Sequence, residues 1–309
     1  MPPLSKNYEV LMSVSEGKIL KGIGGFYYVE AADSIIECKA RGAFRSKGES
    51  VLVGDMVKIE YDSESKKGVI ENILPRKNSL VRPSVSNIDK LYIVCSTTLP
   101  APNFLNIDKL IAMAIYSDIE PIIVISKTDL DSAQTLCETY KKAGFSVFEV
   151  NYEDSASIEK IKQSLENKTS VFTGNSGVGK STLINAMFKD LELKTGEVST
   201  KLSRGKHTTR HIELFPLENG GYLADTPGFS SIDFEAGEII SKENVIDCFP
   251  DLLPFAEDCR FPDCRHIGER DCGVKDALQN DKVVKSRYES YCTLYKEAEK
   301  IKSWEKRNK

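Results

Sequence analysis

The sequence predicts a multidomain chain: a small N-terminal β-barrel, a central α/β domain with a mostly parallel sheet, and a C-terminal helical domain organised by a metal. Three observations predict it. Short β-prone runs separated by glycine turns fill roughly the first 75 residues, strand and helix signals alternate from Lys90 onward, and three thiols and an imidazole cluster between Cys259 and Cys272. These changes of pattern set boundaries at 1–75, 76–235 and 236–309. A length of 309 residues suits two or three domains, and 40% hydrophobic content can give each a core.

In the first domain, β-prone runs span Tyr8 to Val14, Lys18 to Gly22, Phe26 to Val29, Ile35 to Ala40, Met56 to Tyr61 and Gly68 to Ile73. Five or six short strands at this spacing suit an OB-fold. Lys39, Arg41, Arg45 and Lys47 surround Phe44, the mixture with which such barrels hold RNA; an ordinary solvated hairpin is the competing reading. Residues 76–89 form a polar connector containing Arg76, Lys77, Arg82 and Pro83.

The second domain opens with a strand over Lys90 to Ser96, then a helix near Asn106 to Ser117 and a strand over Pro121 to Ile125. A helix near Ser132 to Ala143, a strand over Ser146 to Val150 and another over Ser170 to Thr173 follow. Alternation of this kind indicates a parallel sheet with helices on both faces. After the last of these strands come Gly174, Asn175, Ser176, Gly177, Val178, Gly179, Lys180 and Ser181, a complete GxxxxGKS loop, followed by the helical run Thr182 to Phe188. Such glycines let backbone N–H groups converge on phosphate oxygens at a helix N-terminus. Lys180 is expected to reach the β- and γ-phosphates, Ser181 to hold Mg2+, and Thr182 to adjoin the nucleotide.

Ser126, Lys127, Thr128 and Asp129 end the strand over Pro121 to Ile125. A carboxylate at Asp129 can accept from guanine N1–H and N2–H2, a donor pair adenine lacks. GTP is thus favoured over ATP, because a buried unpaired carboxylate costs about 1–3 kcal/mol. The usual first residue of this motif is Asn, so Ser126 predicts a shorter or missing side-chain contact near the base. A fifth guanine motif is expected around Asn151 to Ser157. Downstream, Gly205 to Arg210 (GKHTTR) offers Thr208 and Thr209, with Thr209 favoured as the Mg2+ ligand because it directly precedes the strand-like run Arg210 to Phe215. Gly221 to Ala224 leads into Asp225, Thr226, Pro227 and Gly228; Asp225 is expected on Mg2+ through water and the Gly228 amide near the γ-phosphate. The base motif precedes the phosphate loop, whereas in Ras-like GTPases the phosphate loop comes first. The chain therefore reads as a circularly permuted GTPase.

Phe229 follows the DTPG run and cannot orient a water as the glutamine of Ras-type enzymes does. His207 is the candidate for that task, with a noncatalytic surface role as the alternative. Cys259, Cys264, His266 and Cys272 have the spacing C-x4-C-x-H-x5-C, which satisfies a closed, structural tetrahedral Zn2+ site. Cys38, Cys95, Cys137, Cys248 and Cys292 are dispersed and read as reduced thiols.

The order SKTD, GNSGVGKS, GKHTTR and DTPG, followed by C-x4-C-x-H-x5-C, resembles the RsgA/YjeQ family of circularly permuted, small-ribosomal-subunit-dependent GTPases. GFYYV, RGAFR, VGDMV and PRKNSLVRP in the N-terminal third are similar to family motifs as well, so the resemblance covers nearly the whole chain. It implies an N-terminal OB-fold, a permuted G domain and a C-terminal zinc-binding domain. It further implies that the protein acts in late maturation of the small (30S) subunit through its 16S rRNA, stimulated by that subunit, with GTP or GDP state controlling binding and release. By the same resemblance His207, in the segment matching the family's GxHTT, is the catalytic histidine, beside Lys180.

The net charge of −4 confines contact with RNA to local basic patches. One such patch is residues 282–309, with seven Lys and two Arg against four Glu. Within it Tyr288, Tyr291 and Tyr295 share a helix face, more simply a packing stripe than an RNA platform. No signal-like or membrane-length apolar run is found, so the expectation is a cytoplasmic protein without membrane contact, and nothing suggests more than a monomer. Two other readings stay open: an RNA-binding scaffold in which hydrolysis is incidental, and a P-loop ATPase with an accidental SKTD.

Overall fold

The computed structural model describes residues 12–42, 44, 49–80, 84–188, 212–225 and 240–300. Strands β1 (Met12–Ile23), β2 (Phe26–Ala31), β3 (Ser34–Ala40), β4 (Met56–Asp62) and β5 (Lys67–Ile73) form the N-terminal barrel. Antiparallel β1–β4 pairing and parallel β3–β5 pairing close it. One correction concerns its first strand. The sequence reading breaks at Gly17, but β1 runs through that residue, pairing β4 with its first half and β2 with its second. Gly17 serves close packing, since a Cβ there would lie 2.4 Å from the Glu30 carbonyl oxygen. A second correction concerns Phe44, which is buried in the barrel core with Ile19, Val29, Ile36 and Ile59 and is no exposed aromatic for stacking. Arg41 pairs with Glu71, while Arg45 and Lys47 lie outside the described residues.

The connector carries more structure than its polarity suggests. Short strands β6 (Ser79–Leu80) and β7 (Val85–Ser86) pair there. The fully buried carboxylate of Asp55 accepts two bonds from Arg76 (2.6 and 2.8 Å), one from the Ser86 hydroxyl and one from the Leu52 amide. Gly54 has φ +92°, and a Cβ on it would meet the Ser86 carbonyl oxygen at 2.2 Å. This explains the run Val53–Gly54–Asp55: the glycine lets the linker lie flat and the aspartate fastens it to Arg76.

Seven residues of β8 (Lys90–Ser96) begin the central domain, followed by α1 (Phe104–Tyr116), β9 (Glu120–Ser126), α2 (Gln134–Lys142), β10 (Ser146–Glu149), α3 (Ser155–Ser164), β11 (Thr169–Thr173), α4 (Lys180–Met187), β12 (Glu213–Pro216) and β13 (Tyr222–Asp225). The strand order is β10-β9-β8-β11-β13-β12, parallel except for β12. Alternate residues of β8 enter opposite cores: Leu91, Ile93 and Cys95 pack with α1 and α2, Tyr92 and Val94 with α3 and α4. Burial on both faces is why this strand reads as an unbroken apolar run. The barrel joins the same sheet where β1 pairs with β12 at Lys21 and Glu213. Lys18 strengthens the junction, donating to Thr169 Oγ1 (3.1 Å) with its ammonium 4.1 Å from the Tyr222 ring centre.

Three short 3-10 turns (Lys242–Asn244, Ile246–Cys248, Leu253–Phe255), then α5 (Gly273–Gln279) and α6 (Lys285–Lys300), make the C-terminal domain. The tyrosine stripe of α6 packs inward: Tyr291 is buried and meets Phe249 edge-on, 5.5 Å between ring centres. Arg287 is fully buried and not part of a basic surface, as the sequence count had it; it binds Asp251 (2.6 and 3.1 Å) and Asp108 of α1 (2.8 Å). Burial works against the guanidinium, but the two carboxylates outweigh it and raise its pKa. Truncation as Arg287→Ala strands Asp108 and is expected to cost about 3–5 kcal/mol in chemical denaturation, with much of that recovered when Asp108→Leu is added.

Candidate active site

The β8–β11 neighbourhood is where connections diverge: β8 leads outward to β9 and β10, and β11 outward to β13 and β12. Carboxyl ends of parallel strands at such a switch point form a ligand crevice. The glycine loop leaves β11 here. Gly174 (φ +141°) lies so close to β8 that a Cβ would sit 2.1 Å from the Val94 carbonyl oxygen. Gly177 (φ +81°) and Gly179 (φ +96°) supply two further turns into α4. Val178 between them is buried, and Asn175, Ser176 and Gly177 face outward. The Lys180 ammonium folds over the loop onto the carbonyl oxygens of Gly174 and Asn175 (2.9 Å to the latter), and burial lowers its pKa to about 8. Ser181 and Thr182 occupy the first turn of α4.

Ser126 closes β9 beside this loop. Its hydroxyl is fully buried within 2.6 Å of the Val178 carbonyl oxygen and 3.1 Å of that of Cys95. It ties the base motif to the phosphate loop, a contact the reading of Ser126 as a shortened base contact did not anticipate. Lys127 has φ +59° and reaches the Leu99 carbonyl, and Thr97 Oγ1 donates to the Lys127 carbonyl at 2.7 Å. Thr128 Oγ1 donates to Val150 (2.9 Å), which leaves Asp129 exposed at the mouth. The structure thus brings Ser126, Lys127 and Asp129 together with Gly174 to Thr182. Asp225 ends β13, two strands from β8. His207, Thr208, Thr209, Gly228 and Phe229 lie outside the described residues.

Two participants escaped the sequence reading. Thr97 follows an apolar strand and carries no motif. Tyr152 lies in the segment expected to hold the fifth guanine motif; its hydroxyl donates to the Gly179 carbonyl at 3.0 Å. A cavity of about 560 Å3 lies between α3, the end of α4 and Leu217, away from the N-terminal end of α4.

The second centre is as the spacing predicts. The ligand atoms of Cys259, Cys264, His266 and Cys272 all lie within 4.8 Å of one another. Cys259 Sγ is 3.3 Å from His266 Nδ1 and 3.9 Å from Cys272 Sγ, and Cys272 Sγ is 3.6 Å from Nδ1. A tetrahedron with Zn–S of about 2.3 Å and Zn–N of about 2.0 Å has edges of roughly 3.5–3.8 Å, so these residues fit a zinc ion bound through Nδ1. Burial lowers the His266 pKa and so favours the neutral imidazole a metal needs. His266 has φ +58°, with its carbonyl held by Tyr288 and that of Arg265 by Tyr291 (2.8 and 3.0 Å). Glu269 gathers the amides of Arg265, Ile267 and Gly268 and the Arg265 guanidinium; burial opposes its ionisation, but hydrogen bonds from its own amide, from the Arg265 guanidinium and from the Arg265 and Ile267 amides prevail and hold the carboxyl at about 2.

Comparison with known proteins decides the family. The RsgA GTPase model matches residues 73–235 and the RsgA N-terminal domain model residues 16–70. The chain belongs to the RsgA GTPase family. The protein called small ribosomal subunit biogenesis GTPase RsgA in Alkaliphilus metalliredigens is 44% identical, over 93% of this chain and 99% of that one. That of Caldanaerobacter subterraneus subsp. tengcongensis is 42% identical over 94% and 97%. The crystal structure of YjeQ from Thermotoga maritima, 31% identical, superposes with a TM-score of 0.77 over 94% of this chain and all of that one. That of YloQ, a circularly permuted GTPase, is 33% identical with a TM-score of 0.78 over 96% and 99%. As an RsgA GTPase this chain is a GTP hydrolase with an N-terminal barrel and a permuted G domain.

Two outcomes test the centres. Elemental analysis is expected to find one zinc per chain, and Cys264→Ser is expected to lose it and lower the melting temperature. Ser126→Ala is expected to weaken GDP binding severalfold while keeping the preference for GTP over ATP, which Asp129→Ala removes in competition titrations.

Proposed function

We propose that this GTPase acts in late maturation of the small ribosomal subunit, docking in its GTP form and leaving after hydrolysis. The observation that carries this is the convergence of the guanine motif and the phosphate loop at one switch point, in a chain whose curated relatives are named for small-subunit biogenesis. Asp129 reads guanine, the amides of Gly177 to Ser181 cradle phosphate, and Lys180 neutralises the β- and γ-oxygens. Ser181 and Thr209 would hold Mg2+, with Asp225 serving it through a water; once bound, the ion would offset the charge that develops on the transferred phosphoryl group. Ser181 fits that task, since it begins the turn of α4 beside Lys180. Thr208 and the Gly228 amide respond to the γ-phosphate. His207 orients the attacking water, a role Phe229 cannot take. Zinc holds the C-terminal fold and takes no part in chemistry.

The partner face comprises 16S rRNA, met by local basic residues such as exposed Lys296 and Lys300 of α6 in an otherwise acidic chain. Among the described residues no helix is long and apolar enough to cross a membrane. The protein works as a cytoplasmic monomer. GTP hydrolysis by the purified protein is expected to rise at least about tenfold with small subunits, some 1.4 kcal/mol off the barrier, and not with large subunits. An unchanged rate would overturn subunit stimulation. Lys180→Ala is expected to abolish both turnover and function in cells, whereas a scaffold with incidental hydrolysis would tolerate it.

A further inference from the structure

The phosphate loop has two glycines with positive φ on either side of Val178, and glycine peptides rotate at little cost. Something outside the loop must therefore hold its amides in a converging arrangement. A planar trans peptide sets its C=O and the following N–H in opposite directions, so anchoring a carbonyl also aims an amide. Ser126 anchors Val178 C=O and thereby aims the Gly179 amide. At the next peptide, Gly179 C=O accepts from the Leu183 amide inside α4 (2.9 Å) and from the Tyr152 hydroxyl (3.0 Å), which leaves Lys180 N–H pointing out of the helix toward the phosphate side.

Tyr152 is itself well placed for this. Its ring packs against the core of Val150, Ile161, Phe172 and Val178. The surrounding turn is fastened by Ser157 Oγ to the Asn151 carbonyl (3.0 Å) and by Asp154, which caps α3 through the Ala156 amide (3.0 Å). A Cβ on Gly179 would lie 2.7 Å from the Tyr152 oxygen, so the phenol occupies the space that glycine leaves. Burial, and after it the negative charge of Asp129, raises the Tyr152 pKa, so the phenol that meets the phosphate loop also lies within electrostatic reach of the base-reading carboxylate.

We infer that Tyr152 is a positioning residue for the nucleotide's phosphates: its hydroxyl fixes the Gly179–Lys180 peptide and links the base side of the site to the phosphate loop. This rests on the loop being the nucleotide site, as proposed above. The residue touches the loop and not the reacting atoms, so its effect falls on a diphosphate more than on a monophosphate.

The test is titration of the full-length chain and its Tyr152→Phe variant with GDP, GMP and ATP. Tyr152→Phe is expected to weaken GDP binding about threefold to tenfold, the worth of one hydrogen bond, and GMP binding less than twofold. The preference for guanine over adenine stays unchanged because Asp129 is untouched. A partly unfolded population lowers occupancy by both guanine nucleotides alike, so the GDP-to-GMP affinity ratio reports the phosphate term even if the variant is less stable. Equal losses for both, or no loss, would overturn the inference. Lys180→Ala run in parallel separates the two readings: GDP affinity untouched by that change would overturn the site itself, whereas its loss beside a normal Tyr152→Phe ratio overturns only the role of Tyr152.

Discussion

A guanidinium removed from solvent needs negative partners, and Arg287 finds them in two parts of the chain, Asp251 of its own domain and Asp108 of the central one. The guanidinium cannot be withdrawn without leaving buried carboxylates uncompensated, which costs more than the intact set contributes. The cluster therefore acts as a register mark: α6 can lie on α1 in one alignment only. Around it the contact is apolar, with Ala112, Leu105 and Tyr116 of α1 against the core of Phe249, Tyr291 and Leu294. At the start of α1, Asn103, which caps the helix, and Asn106 border the crevice shared with Gly174 and Asn175. One helix thus touches the phosphate loop at its start and the zinc-bearing domain along its side.

The same helix clarifies the use of the metal. Arg265 and His266 offer their carbonyls to Tyr291 and Tyr288 of α6, so the zinc loop and the helix that carries Arg287 are one unit. A structural ion bound here would do more than close a small loop, because the loop it would fix keeps the tyrosines of α6 aligned with the face that meets α1. The left-handed backbone at His266, unfavourable for side-chain-bearing residues, is sustained by that set of bonds.

Local chemistry was legible in the sequence and long-range pairing was not. GxxxxGKS, SKTD and C-x4-C-x-H-x5-C each place their ligating groups within fifteen residues, so spacing alone implies geometry. The apolar runs of β8, β9 and β11 announced a parallel sheet because those strands are buried on both faces. Gly17 misled because a glycine that accommodates a neighbouring backbone looks the same in sequence as one that turns the chain. Arg287 misled because a charge is counted as surface unless its partners, in this case 179 positions away for Asp108, are known. Tyr152 and Thr97 were silent for a related reason: they act by holding carbonyls, and any residue has a carbonyl to be held.

The junction at Lys21 and Glu213 makes barrel and central domain one hydrogen-bonded sheet, although the sequence divides them cleanly. Without β1, strand β12 would be the open margin of the central sheet, presenting unpaired amides and carbonyls to any passing strand. The barrel is therefore also an edge guard. Its removal would do more than delete a domain: it would uncover a self-association surface, so the central sheet depends on the barrel for its closed margin.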